Sequence, residues 1–120
     1  MDANLTEFEH WFGLRCEEAL AEVLGVSTLA SAICSMKKQG ILSLDDVARH
    51  PAEFDDALSV LFNPVGATFL EIRILKRFYR SIGLKFEWND GRVFKEEVEE
   101  ALRRFRGLSS HPSTLTEKGE

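Results

Sequence analysis

The stretch 64–82, PVGATFLEIRILKRFYRSI, is the longest apolar run with clear boundaries at both ends. Asn63 precedes it as a helix cap, Pro64 suits the first helical position, and Gly83 suits the C-terminal cap. At about 100° per residue, its large apolar side chains share an arc of about 160°, wider than a surface helix needs. They are Ile72, Ile74, Leu75, Phe78, Tyr79 and Ile82. We therefore predict a helix at the centre of the fold, packed on several sides.

Length and composition indicate one folded domain. The chain has 120 residues, of which 44% are hydrophobic and 29% charged, which are ordinary values for a globular protein. No stretch approaches the roughly 18 uninterrupted apolar residues of a membrane span, and the first ten residues do not resemble a signal peptide. We expect a cytoplasmic protein with no membrane partner.

Four further helices are predicted around the central one, at about 7–24, 27–39, 51–62 and 94–106. Thr6 and Glu9 have the spacing of a capping box for the first helix, and Ser27 suits the cap of the second. Gly13, inside the first helix, costs about 1 kcal/mol relative to alanine and indicates a close helix crossing or a bend. A brief turn at 44–49 has Asp45 and Asp46 where a helix start favours negative charge.

The segment 84–94 has two interpretations. Leu84, Phe86 and Trp88 alternate with polar residues before an Asp90-Gly91 pair, which is the pattern of a short β-hairpin. The strands would have only about four residues each, so we favour a structured loop and keep the hairpin as the alternative. Altogether the sequence predicts a single compact all-α bundle of about five helices at 1–106, followed by a flexible C-terminal tail at 107–120.

The patterns that usually announce catalysis or metal binding are missing from the sequence. There is no glycine-rich phosphate motif, no nucleophile elbow and no spaced set of metal ligands. Glu53, Asp55 and Asp56 are explained as first-turn acids of a helix, and the two cysteines, Cys16 and Cys34, as small core residues. We therefore expect a protein that is not an enzyme and that uses no metal or cofactor.

A basic stripe on the central helix is the best candidate for partner binding. Arg73, Lys76, Arg77 and Arg80 lie on the arc opposite the apolar face, and Lys85 and Arg92 extend the set. The formal net charge is −5, but residues 1–62 carry 4 basic and 11 acidic side chains while residues 63–120 carry 11 and 9. The stripe could therefore bind an acidic protein or nucleic acid, or it could pair with the acidic half of its own chain.

The run 42–86, LSLDDVARHPAEFDDALSVLFNPVGATFLEIRILKRFYRSIGLKF, resembles the Nitrosopumilus output domain family. The likeness rests on the Leu44-Asp45-Asp46-Val47 turn, on the motif of His50, Pro51, Phe54, Ala57 and Leu58, on the Phe62 joint, and on Ile74-Leu75, Phe78-Tyr79 and Gly83-Leu84. The helix at 94–104 is also similar. Family members tend to have a glycine-containing joint where this chain has Asn63-Pro64.

The resemblance implies an archaeal all-helical domain that acts as a signalling output or interaction module, without catalytic residues to carry over. We expect a non-catalytic module that binds an unidentified protein partner, and the alternative is a nucleic-acid-binding transcriptional regulator that uses the same basic helix face. Homodimerisation is a further expectation, because Trp11, Phe86 and Trp88 offer more aromatic surface than a small core absorbs.

Overall fold

Four α-helices build the fold in the computed structural model, which describes residues 3–88 and 91–110, with side chains for 5–88 and 91–107. They are α1 (Ala3–Leu24), α2 (Val26–Lys37), α3 (Pro51–Ser81) and α4 (Phe94–Ser110), with a short 3₁₀ turn at Leu44–Asp46 between α2 and α3. The described residues form no strand. The all-α prediction is confirmed.

Two finer predictions are not confirmed. The predicted helices 51–62 and 64–82 are one element, α3, so α-helices number four in the described ranges rather than about five. The hairpin near 84–94 is not seen either, because 84–88 and 91–93 run without strand pairing. Asn89 and Asp90, in its predicted turn, lie outside the described residues.

Three helix ends differ from the predicted positions: the starts of α1 and α2, and the end of α4. Helix α1 is already helical at Ala3, so Thr6 lies inside it and cannot act as its cap. Helix α2 begins at Val26, with Gly25 rather than Ser27 in the cap position. Helix α4 continues to Ser110, four residues beyond the predicted end, and residues 111–120 of the predicted tail lie outside the described part of the chain.

Helix α3 is broken at Asn63. This residue has φ 60° and ψ 167°, which is not helical, while the residues on both sides are helical. Its Oδ1 accepts a hydrogen bond from the backbone N–H of Gly66 at 2.9 Å, so Asn63 caps the second half of the helix, as predicted. Pro64 occupies the first position after the cap, where its missing N–H leaves no bond unmade.

The two halves of α3, 51–62 and 64–81, fold back on each other. Asp55 in the first half hydrogen-bonds to Glu71 in the second. In a straight helix, these residues would be separated by about 24 Å, at 1.5 Å per residue. The contact therefore requires the break at Asn63 to turn the chain into a helical hairpin.

Helix α1 runs antiparallel to the second half of α3. Phe12 lies 5.2 Å from Phe78 between ring centroids, and Glu22, ten residues later on α1, contacts Arg73, five residues earlier on α3. The aromatic core at this junction is completed by rings of α1 and α4. They are Phe8, Phe94 and Phe105, with centroid distances to their neighbours of 5.4 to 6.5 Å. The central position predicted for 64–82 is borne out by this packing.

Among the described helices, α3 alone is long and apolar enough to match a membrane span, with a mean hydropathy of 1.4 in its best window. The break at Asn63 leaves at most 18 residues, 64–81, on one side. Five of those residues are charged: Glu71, Arg73, Lys76, Arg77 and Arg80. The length and composition of α3 therefore do not argue for a span.

Gly13 marks a close approach between α1 and the 3₁₀ turn, as its position in the sequence indicated. A Cβ atom at Gly13 would lie 2.9 Å from the carbonyl oxygen of Leu44 and 2.7 Å from the Oδ1 atom of Asp45. The turn is held in place by Arg49, which bonds both Glu9 of α1 and Asp46 at 2.9 Å. Asp46 in turn accepts the backbone N–H of Leu42 at 3.0 Å.

Substitutions at Asn63 should separate backbone strain from capping. Its φ and ψ lie in a region that glycine adopts far more readily than other residues, so Asn63→Gly should be neutral or stabilising by up to about 1 kcal/mol despite the lost cap. Asn63→Val should destabilise by about 2 kcal/mol or more, because it adds β-branched strain and also removes the cap. Chemical denaturation followed by circular dichroism measures both. Equal losses for the two variants would contradict the assigned backbone conformation.

Gly13→Ala should destabilise the fold by about 1–3 kcal/mol, although alanine is the better helix former, because the Leu44 carbonyl is backbone and cannot rotate away. Gly107→Ala is the matched control, since an added Cβ there meets nothing within 4 Å. That variant should be neutral or slightly stabilising. Thermal unfolding of the two variants compares them directly, and a neutral Gly13→Ala would refute the close crossing.

Candidate protein-interaction site

The basic stripe of α3 is divided into two pairs by its contacts. Arg77 donates to the Oε1 atom of Glu22 on α1 at 2.7 Å and lies 3.6 Å from the Oε1 atom of Glu18. Arg73 donates to the same Glu22 oxygen at 3.3 Å and stacks over the ring of Phe69. The hydrogen bond from Arg77 lowers the pKa of Glu22 below its ordinary value. These two arginines are therefore largely neutralised within the chain, as one of the two interpretations of the stripe anticipated.

Lys76 and Arg80 are different. Within the described residues, neither side chain takes part in an ion pair or hydrogen bond, and both are exposed. They line an open groove of about 330 Å³ together with Leu84, Lys85 and Phe86. Three cations thus surround an apolar floor, and no acidic side chain of the described ranges lines the groove. An anionic group with an apolar neighbour fits such a surface.

The groove is shaped by the way α3 ends. Gly83 has φ 79°, and its backbone N–H bonds to the carbonyl of Arg80 at 3.0 Å. The N–H of Leu84 then reaches back to the carbonyl of Tyr79 at 2.9 Å, a glycine-terminated cap of the Schellman type. Phe86 is buried, with its ring 5.1 Å from that of Tyr79. The loop after α3 is therefore held against the helix, which fixes Lys85 near Arg80.

A second cavity, of about 260 Å³, lies on the other side of Phe86 and reaches α4. Its charged lining is balanced. It has three cations, Lys85, Arg92 and Arg104, and three acids, Glu87, Glu97 and Glu100. Glu100 accepts from Arg104 at 2.8 Å, and Arg92 lies 3.5 Å from the buried Glu97. With three formal charges of each sign in its lining, this cavity has no net charge with which to select an ionic ligand. Burial raises the pKa of Glu97.

No group of three or more histidine, cysteine or acidic residues in the described ranges is arranged to hold a metal ion. Cys16 is buried, and burial raises the pKa of its thiol well above the ordinary value. Cys34 is exposed on α2, so the prediction that both cysteines belong to the core is wrong for this one. The two thiols are not bonded to each other.

The aromatic residues on which homodimerisation was first argued are largely occupied inside the fold. Phe86 is buried and Trp88 packs 6.4 Å from it. Trp11 is 36% exposed, but its indole N–H donates to the Ser81 hydroxyl at 2.9 Å and its ring lies 5.0 Å from the guanidinium of Arg15. These three side chains therefore do not form a free aromatic surface.

No family model, curated protein or solved structure matches this chain. The groove around Lys76 and Arg80 is the strongest candidate site, since these two cations have no ion-pair partner within the described residues and an apolar floor lies beside them. The third cation, Lys85, pairs with the exposed Glu87 at 3.7 Å.

The carboxyl pair of Asp55 and Glu71 is not predicted by the sequence patterns. Asp55 was interpreted as a first-turn acid of its helix, and Glu71 was not singled out, yet they form a carboxyl pair between the halves of α3. A carboxylate at 71 on an otherwise apolar face was the available signal, because an isolated acid there needs a partner. Identifying Asp55 as that partner required the hairpin geometry.

The surroundings of Glu71 favour the protonated form of its carboxyl at neutral pH. Its side chain is buried, and burial is the largest influence that raises its pKa to about 10, followed by the hydrogen bond with Asp55 and the charge of Asp55. The Oε2 atom of Glu71 has no hydrogen-bond partner. The pair joins the two halves of α3 only while a proton is present, because two ionised carboxylates in contact repel each other.

Glu71 should make stability depend on pH. The folded chain keeps a proton that the unfolded chain releases above the ordinary pKa of 4.5. The stabilisation is therefore fully present below that value and is lost as the pH rises toward 10, by up to about 1.4 kcal/mol per pH unit. Glu71→Gln should flatten the free energy of unfolding over this range, measured by urea denaturation at several pH values. Glu53→Gln, an exposed control on the same helix, should follow the wild type, and a Glu71→Gln curve parallel to wild type would contradict the assignment.

Proposed function

We propose that this chain is a non-catalytic helical signalling-output or protein-interaction module that binds an acidic segment of a partner protein. The observation that carries the proposal is the groove of Lys76, Arg80 and Lys85, whose lining includes no acid among the described residues and which has Leu84 and Phe86 as an apolar floor. A segment with one or two carboxylates beside an apolar side chain complements it.

The resemblance to the Nitrosopumilus output domain family supports the same class of function, since it implies a helical module that passes on a signal through contacts. Archaeal origin and a cytoplasmic location belong to this proposal. The fixed loop after α3 suits a docking surface, because a preorganised groove loses little entropy on binding.

The alternative is a nucleic-acid-binding regulator with the loop from Lys85 to Arg92 as a wing. Arg73 and Arg77 are engaged with Glu22, and Arg92 lies beside Glu97, which leaves few cations for phosphates. The formal net charge of −5 adds a general repulsion from a polyanion. We therefore favour the protein partner and treat nucleic acid as an outcome of the test.

Affinity co-purification from native lysate, with and without nuclease and at low and moderate salt, compares the wild type with Arg80→Glu/Lys85→Glu. The charge-matched control is Lys37→Glu/Lys38→Glu, which alters two exposed lysines at the end of α2. A nuclease-resistant protein partner should be recovered by wild type and control, and should be reduced about tenfold or more by the groove variant, because two cation contacts become repulsive.

Two results would count against the proposal. If the groove variant recovered as much of the partner as the wild type, the groove would not be the binding site. Recovery of nucleic acid that falls steeply with salt, together with loss of all protein after nuclease treatment, would favour the regulator instead.

A further inference from the structure

The solvent-facing side of α3 is not uniform. In the first half, Glu53, Asp56 and Val60 follow each other at intervals of three and four residues, which places them on one face of the helix. All three are exposed, Val60 by 76%. The buried residues of this half, such as Phe54 and Leu58, point to the other side. The outer face of the first half is thus acidic at its start and apolar near the break.

The second half has the opposite order. Val65 is 79% exposed and Phe69 53%, and they are followed on the same face by Arg73 and Lys76. Intervals of four, four and three residues keep these four side chains in line. This face is therefore apolar near the break and basic further along. Within the described residues, Glu53, Asp56 and Lys76 take part in no ion pair.

The packing of the two halves of α3 against each other determines which residues of the two outer faces lie side by side. Because Asp55 contacts Glu71, antiparallel packing places Glu53 level with Arg73, and Val60 level with Gly66. The apolar residues of both halves thus gather at the same end of the hairpin. The acids and bases lie on neighbouring helices at the other end.

We propose that this face binds a second copy of the same chain. A two-fold axis parallel to the hairpin would place the first half of one copy over the second half of the other, at the same level and in antiparallel orientation. Glu53 of each copy then meets Lys76 of the other, next to the Arg73 that is paired with Glu22 of its own chain. Val60 meets Val65 and Phe69. The four half-helices form a small bundle across the interface.

The charge pattern of this face favours a second copy of the chain as its binding partner. An acidic partner peptide would satisfy Lys76 but would be repelled by Glu53 and Asp56 on the same face. A second copy satisfies both ends at once, because the pattern is complementary to itself under two-fold rotation. A face built from these few exposed side chains is small compared with the roughly 1,000 Å² of total buried surface that specific association usually needs, so the dimer should be transient, with a dissociation constant on the order of micromolar or weaker.

The dimer does not depend on the proposed function. Lys76 belongs to both surfaces, but the groove variant changes only Arg80 and Lys85, and Val65→Glu and Phe69→Ser change only the dimer face. Loss of one association with retention of the other therefore tells the two surfaces apart.

The first test is sedimentation velocity of the purified full chain over a concentration series from about 1 µM to 1 mM. The wild type should shift from monomer to dimer. Val65→Glu and Phe69→Ser should each raise the dissociation constant at least tenfold, since they place a charge or a polar group at the apolar centre. Leu42→Glu changes a leucine that is 68% exposed and lies away from the face, and it should dimerise as the wild type does.

The second test uses charge reversal. Glu53→Lys and Lys76→Glu should each raise the dissociation constant at least tenfold, because each homodimer then faces like charges. An equimolar mixture of the two variants should dimerise again. In the mixed dimer the introduced lysine of one variant meets the introduced glutamate of the other, and the native Glu53 and Lys76 meet in the second contact. Circular dichroism confirms that each variant is folded.

Three results would overturn the proposal. They are a wild type that stays monomeric up to about 1 mM, dimerisation unchanged by Val65→Glu and Phe69→Ser, and no recovery on mixing the charge variants. A monomer that floats with anionic lipid vesicles, and loses this with Phe69→Ser, would also overturn it and assign the face to a membrane surface.

Discussion

The break of α3 at Asn63 is the constraint on which the rest of the structure depends. One residue outside helical geometry lets a 31-residue helix fold back on itself, so that its halves bury their apolar sides in a common core. Helix α1 packs along the second half, and the aromatic ring of Phe54 in the first half meets Phe94 of α4 at 5.7 Å. A straight α3 could not make both contacts. The short link between the halves therefore decides the topology of the bundle.

The two halves of α3 are joined by a hydrogen bond between two carboxyl groups, those of Asp55 and Glu71. An apolar pair would hold the halves together at any pH, whereas Asp55 and Glu71 do so only while one proton is held between them. The unsatisfied oxygen of Glu71 adds a further cost. The hydrogen bond between Asp55 and Glu71 is directional, so it prevents one half of α3 from sliding along the other. Apolar contacts alone restrict such sliding less. The levels of the exposed side chains on both halves follow from that register.

The sequence was most informative where the determining chemistry is local. Asn63, Pro64 and Gly83 act through their own backbone preferences, and all three occupy the positions predicted for them. It was least informative where a distant partner decides the outcome. Arg77 and Lys76 are neighbours with the same charge, but only Arg77 faces Glu22, and that difference depends on the rotation of α1 against α3. Thr6 and Glu9 have the spacing of a capping box but do not form one. Helix α1 starts before Thr6, and the carboxylate of Glu9 accepts a hydrogen bond from Arg49 instead.

The two tryptophans give the molecule a natural pair of optical probes. Trp11 lies at the junction of α1 with the end of α3, where its indole is bound to Ser81 and covered by Arg15. Trp88 lies in the loop that borders the basic groove, against Phe86. The emission of the first therefore responds to separation of the helices, and that of the second responds to rearrangement of the loop. Keeping one tryptophan at a time makes opening of the core distinguishable from events at the surface, without attaching a label.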